Sequence, residues 1–358
     1  MNLLCGPLGD AHNFNQKVEL IETVEGLKVK KPRPIFWEWL FLDPSSSFRA
    51  QTKQITGCSF NQYLGSISYS SSQRGVSGIC EYLLQPTKHA ITEDSVLLKN
   101  FGRLLAFTTT LGITDLHIEN LIIYNEHVQM LDIECVLFSA ESPADTLLIP
   151  NRKINRERSP LFKLNQLVGG FSSKNILHIM EGLYQEFKFL LENRAKITEI
   201  ISAEIDQMNR SPIRFLIRPS REYNKNFLQS TSLLPMIDEE REQLDRSDIP
   251  YFFGFIEDAD LFYYKQLNQK SKVQLNNLET IKKKIQRSFQ TPKSLLGHNR
   301  LYKVFKQSMM MVASRFLEAG KPMEIQSENF SIKFDGSILK IDTIEFSLQS
   351  NAVKPNEY

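Results

Sequence analysis

The stretch Thr114-Asp-Leu-His-Ile-Glu-Asn120 and its sequel Met130-Leu-Asp-Ile-Glu134 hold the densest chemistry in this chain. Asp115 and Asn120 stand five apart, and Asp132 follows twelve residues after Asn120. Residues 121–124 and 128–133 alternate about a turn at Asn125-Glu126, which predicts a hairpin returning the chain past the loop. Asp132 and Glu134 are two apart at the end of that strand, so both side chains share one face. Two carboxylates and one amide oxygen converging there make a hard, oxygen-only site of the kind Mg²⁺ prefers. The five-residue offset is the one that separates a catalytic base from a metal-binding amide in phosphoryl-transfer loops. Taken singly, each piece is more often a polar loop or a solvated strand edge. Their order, after a long amphipathic helix, is what points to phosphoryl transfer.

That helix is predicted over 92–111, where Val96, Leu97, Phe101, Leu104, Leu105 and Thr108 recur on one face and Thr92 is placed to cap it. Further upstream, residues 17–31 read as a hairpin turning at Glu25-Gly26, closed by Pro32 and Pro34. Lys31 shares a strand face with Leu27 and Val29, whereas Lys28 and Lys30 point the other way. An inward lysine behind a flexible, phosphate-covering loop is what a kinase needs. Gly9-Asp-Ala-His-Asn13, with Asp10 and His12, is the candidate loop. The competing reading of Lys28, Lys30 and Lys31 is an exposed basic edge strand that blocks aggregation. Residues 51–78, rich in Ser, Gly, Gln and Asn, read as short strands and loops.

Downstream, residues 141–172 read as a long ordered loop and 173–209 as one helix. Arg214-Phe-Leu-Ile-Arg-Pro-Ser220 puts Arg214 and Arg218 on one side whether helix or strand, a pairing that suits a phosphate or, equally, structural carboxylates. Further helices are predicted over 238–245, 274–289 and 299–318, and a last hairpin turns at Asp335-Gly336. Met309-Met-Met311 reads as core filler. The run Lys282-Lys-Lys284 is most simply a solvated helix face, with weak contact to an acidic membrane surface as its alternative. Asp342 and Glu345 have no evident partner.

Composition bounds the function. The chain has 358 residues, 41% hydrophobic and 23% charged, with 24 Phe, so a large core is expected and long disorder is not. A net charge of +2 gives no case for nucleic acid. No apolar run is long enough to span a membrane, and no secretion signal opens the chain. Cys5, Cys58, Cys80 and Cys135 are scattered, as in reduced cytoplasmic proteins. The expected fold is α+β and two-lobed, like protein and lipid kinases. A small β-rich nucleotide-binding lobe spans 1–85, and a mainly helical catalytic lobe with a C-terminal hairpin spans 86–358.

Six segments in order resemble the dehydratase domain of class II (LanM-type) lanthipeptide synthetases, whose core looks like a lipid kinase. They are Gly9–Asn13, Lys31-Pro-Arg33, Thr114–Asn120, Leu131–Glu134, Arg214–Ser220 and Glu240-Arg-Glu-Gln-Leu-Asp-Arg-Ser-Asp-Ile-Pro-Tyr-Phe252. The resemblance implies ATP- and Mg²⁺-dependent phosphorylation of Ser or Thr in a peptide or protein, followed by elimination of the phosphate. It places Asp10 and His12 over the phosphates, Lys31 on them, Asp115 at the substrate hydroxyl and His117 in the catalytic loop. Asn120, Asp132 and Glu134 would hold magnesium, and Arg214 and Ser220 would serve elimination. The family normally carries Thr where this chain has Ser220, and its zinc-binding cyclase residues have no counterpart, so no ring closure is implied. The other readings are a lipid or small-molecule kinase and a non-catalytic, kinase-like binding module.

Overall fold

The computed structural model describes residues 7–56, 60–71, 77–83, 94–124, 126–150, 156–224, 236–256, 258–275, 282–283, 285, 289–316, 323–326, 331–335, 338–341 and 344–347. It is a mixed α+β structure in which every described strand pair is antiparallel.

Five strands form the first sheet: β1 (Pro7–His12), β2 (Gln16–Thr23), β3 (Gly26–Lys31), β4 (Tyr69–Ser71) and β5 (Gly78–Glu81), in the order β1-β2-β3-β5-β4. The register Glu19↔Lys30 and Ile21↔Lys28 follows the alternation seen in the sequence. Pro32 and Pro34 end the sheet, and α1 (Phe36–Leu42) begins directly after Ile35. Then come α2 (Ser47–Thr56) and α3 (Asn61–Leu64), helices where loops and strands were expected. Their aromatic residues explain them. Phe41, Phe48, Phe60 and Tyr63 interlock with one another and with Phe107 at centroid spacings of 5.3–6.3 Å, so tertiary packing outweighs a weak local preference. Truncating a ring such as Phe107 would cost about 3–5 kcal/mol.

Phe107 belongs to α4 (Asp94–Leu111), the predicted amphipathic helix; the capping position Thr92 lies outside the described residues. It crosses α6 (Ser173–Ser202) so closely that a Cβ on Gly102 would meet the Ile179 carbonyl at 2.0 Å, and one on Gly182 the Lys99 carbonyl at 1.9 Å. Glycine at both positions is what lets the backbones touch. After α4 come a single 3-10 turn, Ile118–Asn120, and the hairpin β6 (Leu121–Tyr124) and β7 (His127–Met130). β7 ends before Asp132, and Asn125 of the expected turn is outside the described residues.

The expected long loop contains α5 (Pro160–Leu167), opened by Pro160 at its first turn. The expected single helix breaks at Ala203 into α6 and α7 (Ile205–Arg210). β8 (Ile213–Phe215), β9 (Phe252–Phe255), β10 (Asp258–Gln266) and β11 (Gln269–Lys272) form a second sheet, ordered β11-β10-β9-β8, that the sequence reading did not foresee. Two short helices, α8 (Ser220–Asn224) and α9 (Asp238–Asp245), lie between β8 and β9. The helix His298–Phe316 follows, with Met309 fully buried. A last four-stranded sheet includes the expected pair Ser331–Phe334 and Ile338–Ile341. Gly336, Asp342, most of 274–289, Cys5 and Cys58 lie outside the described residues, as does the Glu345 side chain. Cys80 and Cys135 are free thiols and buried. No helix among the described residues is long and apolar enough to cross a membrane.

Candidate active site

A cleft of about 1570 Å³ lies where the first sheet faces the loop 114–120, the carboxylates Asp132 and Glu134, and the second sheet. Asp10, His12, Arg33, Asp115, His117, Asn120, Asp132, Glu134, Arg214 and Ser220 all line it. Its size exceeds the 300–1,000 Å³ or so usual for one small ligand.

The floor is built by backbone hydrogen bonds. Gly112 ends α4 at φ +60°, and a Cβ there would meet the Phe138 carbonyl at 2.0 Å. This close approach sends the chain into Thr114, whose N–H donates to the Cys135 carbonyl at 2.8 Å. Asp115 then adopts φ 62°, a left-handed conformation that non-glycine residues rarely take and that concentrates at functional sites. The Asn120 side-chain amide donates to the Asp115 carbonyl at 2.8 Å, and Leu131 N–H donates to the Asn120 carbonyl at 2.9 Å. These two bonds lock the loop to the segment bearing Asp132 and Glu134. The segment is irregular backbone, not strand, yet both carboxylates reach the same guanidinium, so they share one side as expected.

Lys31 arrives from β3 and is buried. Its Nζ donates to the Leu131 carbonyl at 2.7 Å and lies 3.2 Å from Glu38 Oε1 and 3.5 Å from Asp132 Oδ1. Burial works against its proton, but Asp132 and Glu38 outweigh that and raise its pKa. Arg33 bridges Glu38 Oε1 and Asp132 through Nη2 and reaches Glu134 Oε1 through Nε at 3.3 Å. Burial likewise pushes Asp132 upward, and Arg33, Lys31 and Arg214 reverse this, holding it well below the usual carboxylate range. Glu134 also accepts from Arg214 Nη1 at 3.2 Å and from the Tyr251 hydroxyl at 2.8 Å.

Asp115 differs. Burial leads, with Asp132 and Glu134 adding repulsion against the pull of Arg214, and its carboxyl is pushed up to about 6. His117 Nδ1 accepts from Glu119 N–H at 3.3 Å, which leaves the ring proton on Nε2, 4.0 Å from Asp115 Oδ1. Burial, aided by Arg158, lowers the His117 pKa.

The expected phosphate-covering loop is neither a loop nor free. Residues Pro7–His12 are strand β1, and the turn after it runs through Asn13, Phe14 and Asn15, all at positive φ. Asp248 clamps this turn, accepting from the Phe14 and Asn15 N–H groups at 2.8 and 2.7 Å. His12 Nδ1 bonds to the Ile249 carbonyl at 2.6 Å, and burial, aided by the Arg214 charge, lowers the pKa of the ring. Asp10 is exposed on the cleft rim.

Arg214 and Arg218 part company. Arg214 lies over the Tyr251 ring at 5.2 Å, and its buried Nε has no hydrogen-bond partner among the described residues. Arg218, which also lines the cleft, donates to Glu240 at 2.6 and 2.9 Å. Ser220 opens α8, partly exposed on the cleft wall.

Glu38 went unread in the sequence. It is fully buried on α1, the one charge in Phe-Trp-Glu-Trp-Leu-Phe-Leu, and a charge alone in an apolar helix was the available signal. Its Oε2 has no partner among the described residues.

The donor set fits Mg²⁺. Asn120 donates its side-chain N–H₂ to the Asp115 carbonyl, which leaves Oδ1 as its acceptor, and Asn120 lines the same cleft as the carboxylates Asp132 and Glu134. Among the described residues no group of three or more His, Cys, Asp and Glu has metal-ligand spacing. Two carboxylates and an amide are the sparse oxygen set that Mg²⁺ completes with water and substrate phosphates.

A family model described as a domain of unknown function (DUF4135) matches residues 5–163. The match takes in Asp10, His12, Lys31, Arg33, Glu38 and the whole stretch from Thr114 to Glu134, and stops before Arg214 and Ser220. No curated protein matches the chain.

Proposed function

We propose that this cleft transfers the γ-phosphoryl group of ATP to a Ser or Thr hydroxyl of a peptide or protein, with a two-lobed, kinase-like division of labour. The observation that carries this reading is the meeting of Lys31, from the first sheet, with Asp132, which follows the catalytic hairpin, while Glu38 backs the same ammonium. A lysine paired to a helix glutamate and facing a metal-type carboxylate is the charge arrangement that positions nucleotide phosphates in kinases.

Asn120, Asp132 and Glu134 would hold Mg²⁺, which supplies charge neutralisation at the phosphate oxygens when bound. Lys31 and Arg214 add fixed positive charge from groups that need no reorganisation. Asp115, half-ionised near pH 6, accepts the hydroxyl proton as the oxygen attacks phosphorus and the bond to the leaving ADP breaks. His117 keeps an Nε2 proton facing that carboxylate and orients it.

The Nε of Arg214, without a hydrogen-bond partner among the described residues, favours a second step. After phosphorylation, transfer of the Cα proton to a carboxylate base of the cleft, with breakage of the bond to phosphate, would leave a dehydroamino acid, and Arg214, which like Ser220 lines the cleft, would stabilise the departing dianion. Labelled ATP, Mg²⁺ and a Ser/Thr-rich peptide pool test both steps by intact mass. A phosphate adduct shows transfer alone, and net loss of water shows elimination as well. Wild-type rates from Asp132→Asn would overturn the assignment.

A further inference from the structure

We infer that Arg33 is the resident counter-ion of the acidic pair, and that it releases Asp132 when a divalent cation binds together with nucleotide. This rests on the proposed function and adds a positioning residue to it. Arg33 follows Pro32 at the end of β3, and its side chain is only 14% exposed. One guanidinium serves three carboxylates: Nη2 meets Glu38 Oε1 and Asp132 Oδ1, and Nε meets Glu134 Oε1. The oxygens it occupies on Asp132 and Glu134 belong to the carboxylates that would ligate the metal, so cation and guanidinium compete for one pair.

The charges make the competition specific. Three carboxylates, Glu38, Asp132 and Glu134, are answered by three cations, Lys31, Arg33 and Arg214. These six charges balance one another, and Asp115 adds a further carboxyl group within reach of Arg214, Asp132 and Glu134. A divalent ion alone would add uncompensated positive charge to a poorly solvated site, which is costly. Nucleotide phosphates bring the missing negative charge and accept the released guanidinium bidentately. Metal without nucleotide should therefore bind weakly, and each should strengthen the other by the same factor. Removing Arg33 would expose a ready-made anionic pair and weaken that mutual dependence.

The test is a titration of Mn²⁺ into the full chain without nucleotide, read by electron paramagnetic resonance, for wild type, Arg33→Gln, Arg33→Lys and Asp132→Asn. The expected result is about tenfold or more tighter Mn²⁺ binding in Arg33→Gln. Arg33→Lys should fall between, and Asp132→Asn should lose the site. The gain from adding a non-hydrolysable ATP analogue should be largest in wild type and smallest in Arg33→Gln. If Arg33→Gln alone does not fold, Arg33→Gln with Glu38→Gln removes the stranded buried charge and carries the same expectation. A purely structural Arg33 would not raise metal affinity. A folded Arg33 variant with wild-type Mn²⁺ affinity overturns this inference and leaves the proposed function standing. Absence of Mn²⁺ binding from every variant, with nucleotide included, overturns that function and this inference with it.

Discussion

Two glutamates, the half-buried Glu134 and the fully buried Glu240, receive the same kind of partners: an arginine from the segment 214–218 and a tyrosine hydroxyl. At Glu240 the arrangement is closed. Arg218 donates twice at 2.6 and 2.9 Å, Tyr223 donates at 2.6 Å, and the Ile237 N–H at 3.0 Å takes remaining acceptor capacity. At Glu134 it is open. Arg214 and Tyr251 bind at 3.2 and 2.8 Å, Arg33 adds a third contact at 3.3 Å, and Arg214 Nε has no partner among the described residues. A satisfied network fixes one geometry, whereas an under-satisfied one has capacity for a ligand. The same residue types thus build a latch beside α9 and, under the proposed function, a ligand site in the cleft.

The comparison breaks most sharply in activity. Asp115→Asn should lower the transfer rate by about 10² to 10⁴, measured with labelled ATP and peptide. Stability should move the other way. Burial raises Asp115 to about 6, above its unfolded value near 3.9, so the native state holds a proton that the unfolded chain releases. Its contribution is present below about pH 4 and lost as pH rises through about 6. Thermal unfolding at pH 8 should therefore show Asp115→Asn at or above the wild-type midpoint. In wild type, the transfer rate should climb through about pH 6 as the base ionises.

The latch should respond in the opposite sense. Arg218→Met strands Glu240, a fully buried carboxylate, and should cost about 3–5 kcal/mol in denaturant unfolding. Nucleotide affinity of the folded fraction should stay near wild type. A smaller effect is expected at Tyr251→Phe, which removes one hydrogen bond to a charged group and should cost about 1.5–3 kcal/mol.

The mildest case is a third carboxylate. Glu186 accepts from the Tyr63 hydroxyl at 2.7 Å, and burial, only partly offset by Tyr63 and Arg103, lifts it to about 7. It is protonated in mild acid, and its contribution fades as pH rises through 7. Glu186→Gln should match wild type at pH 5.5 and exceed it modestly at pH 8 in thermal melts.

What the sequence disclosed follows the same division. Period-two alternation announced the β2–β3 and β6–β7 hairpins, and residue spacing put Asp115 and Asn120 in one loop upstream of the segment bearing Asp132, because these depend on local geometry. Glu38 stayed hidden because α1 is apolar on every side and shows no periodic face. α2 and α3 stayed hidden because their helicity comes from aromatic contacts with distant α4. β8, three residues long, is too short to show a pattern. Nor could spacing separate Arg214 from Arg218, whose roles are decided by Glu134 and Glu240, each far away in the chain.

Calorimetric titration of a non-hydrolysable ATP analogue tests the central claim most directly, with and without Mg²⁺, into wild type, Asp132→Asn and Lys31→Met. Saturable one-site binding that requires Mg²⁺ and weakens at least about tenfold in both variants is the predicted result. Absence of binding, or binding indifferent to Mg²⁺, Asp132 and Lys31, would contradict it.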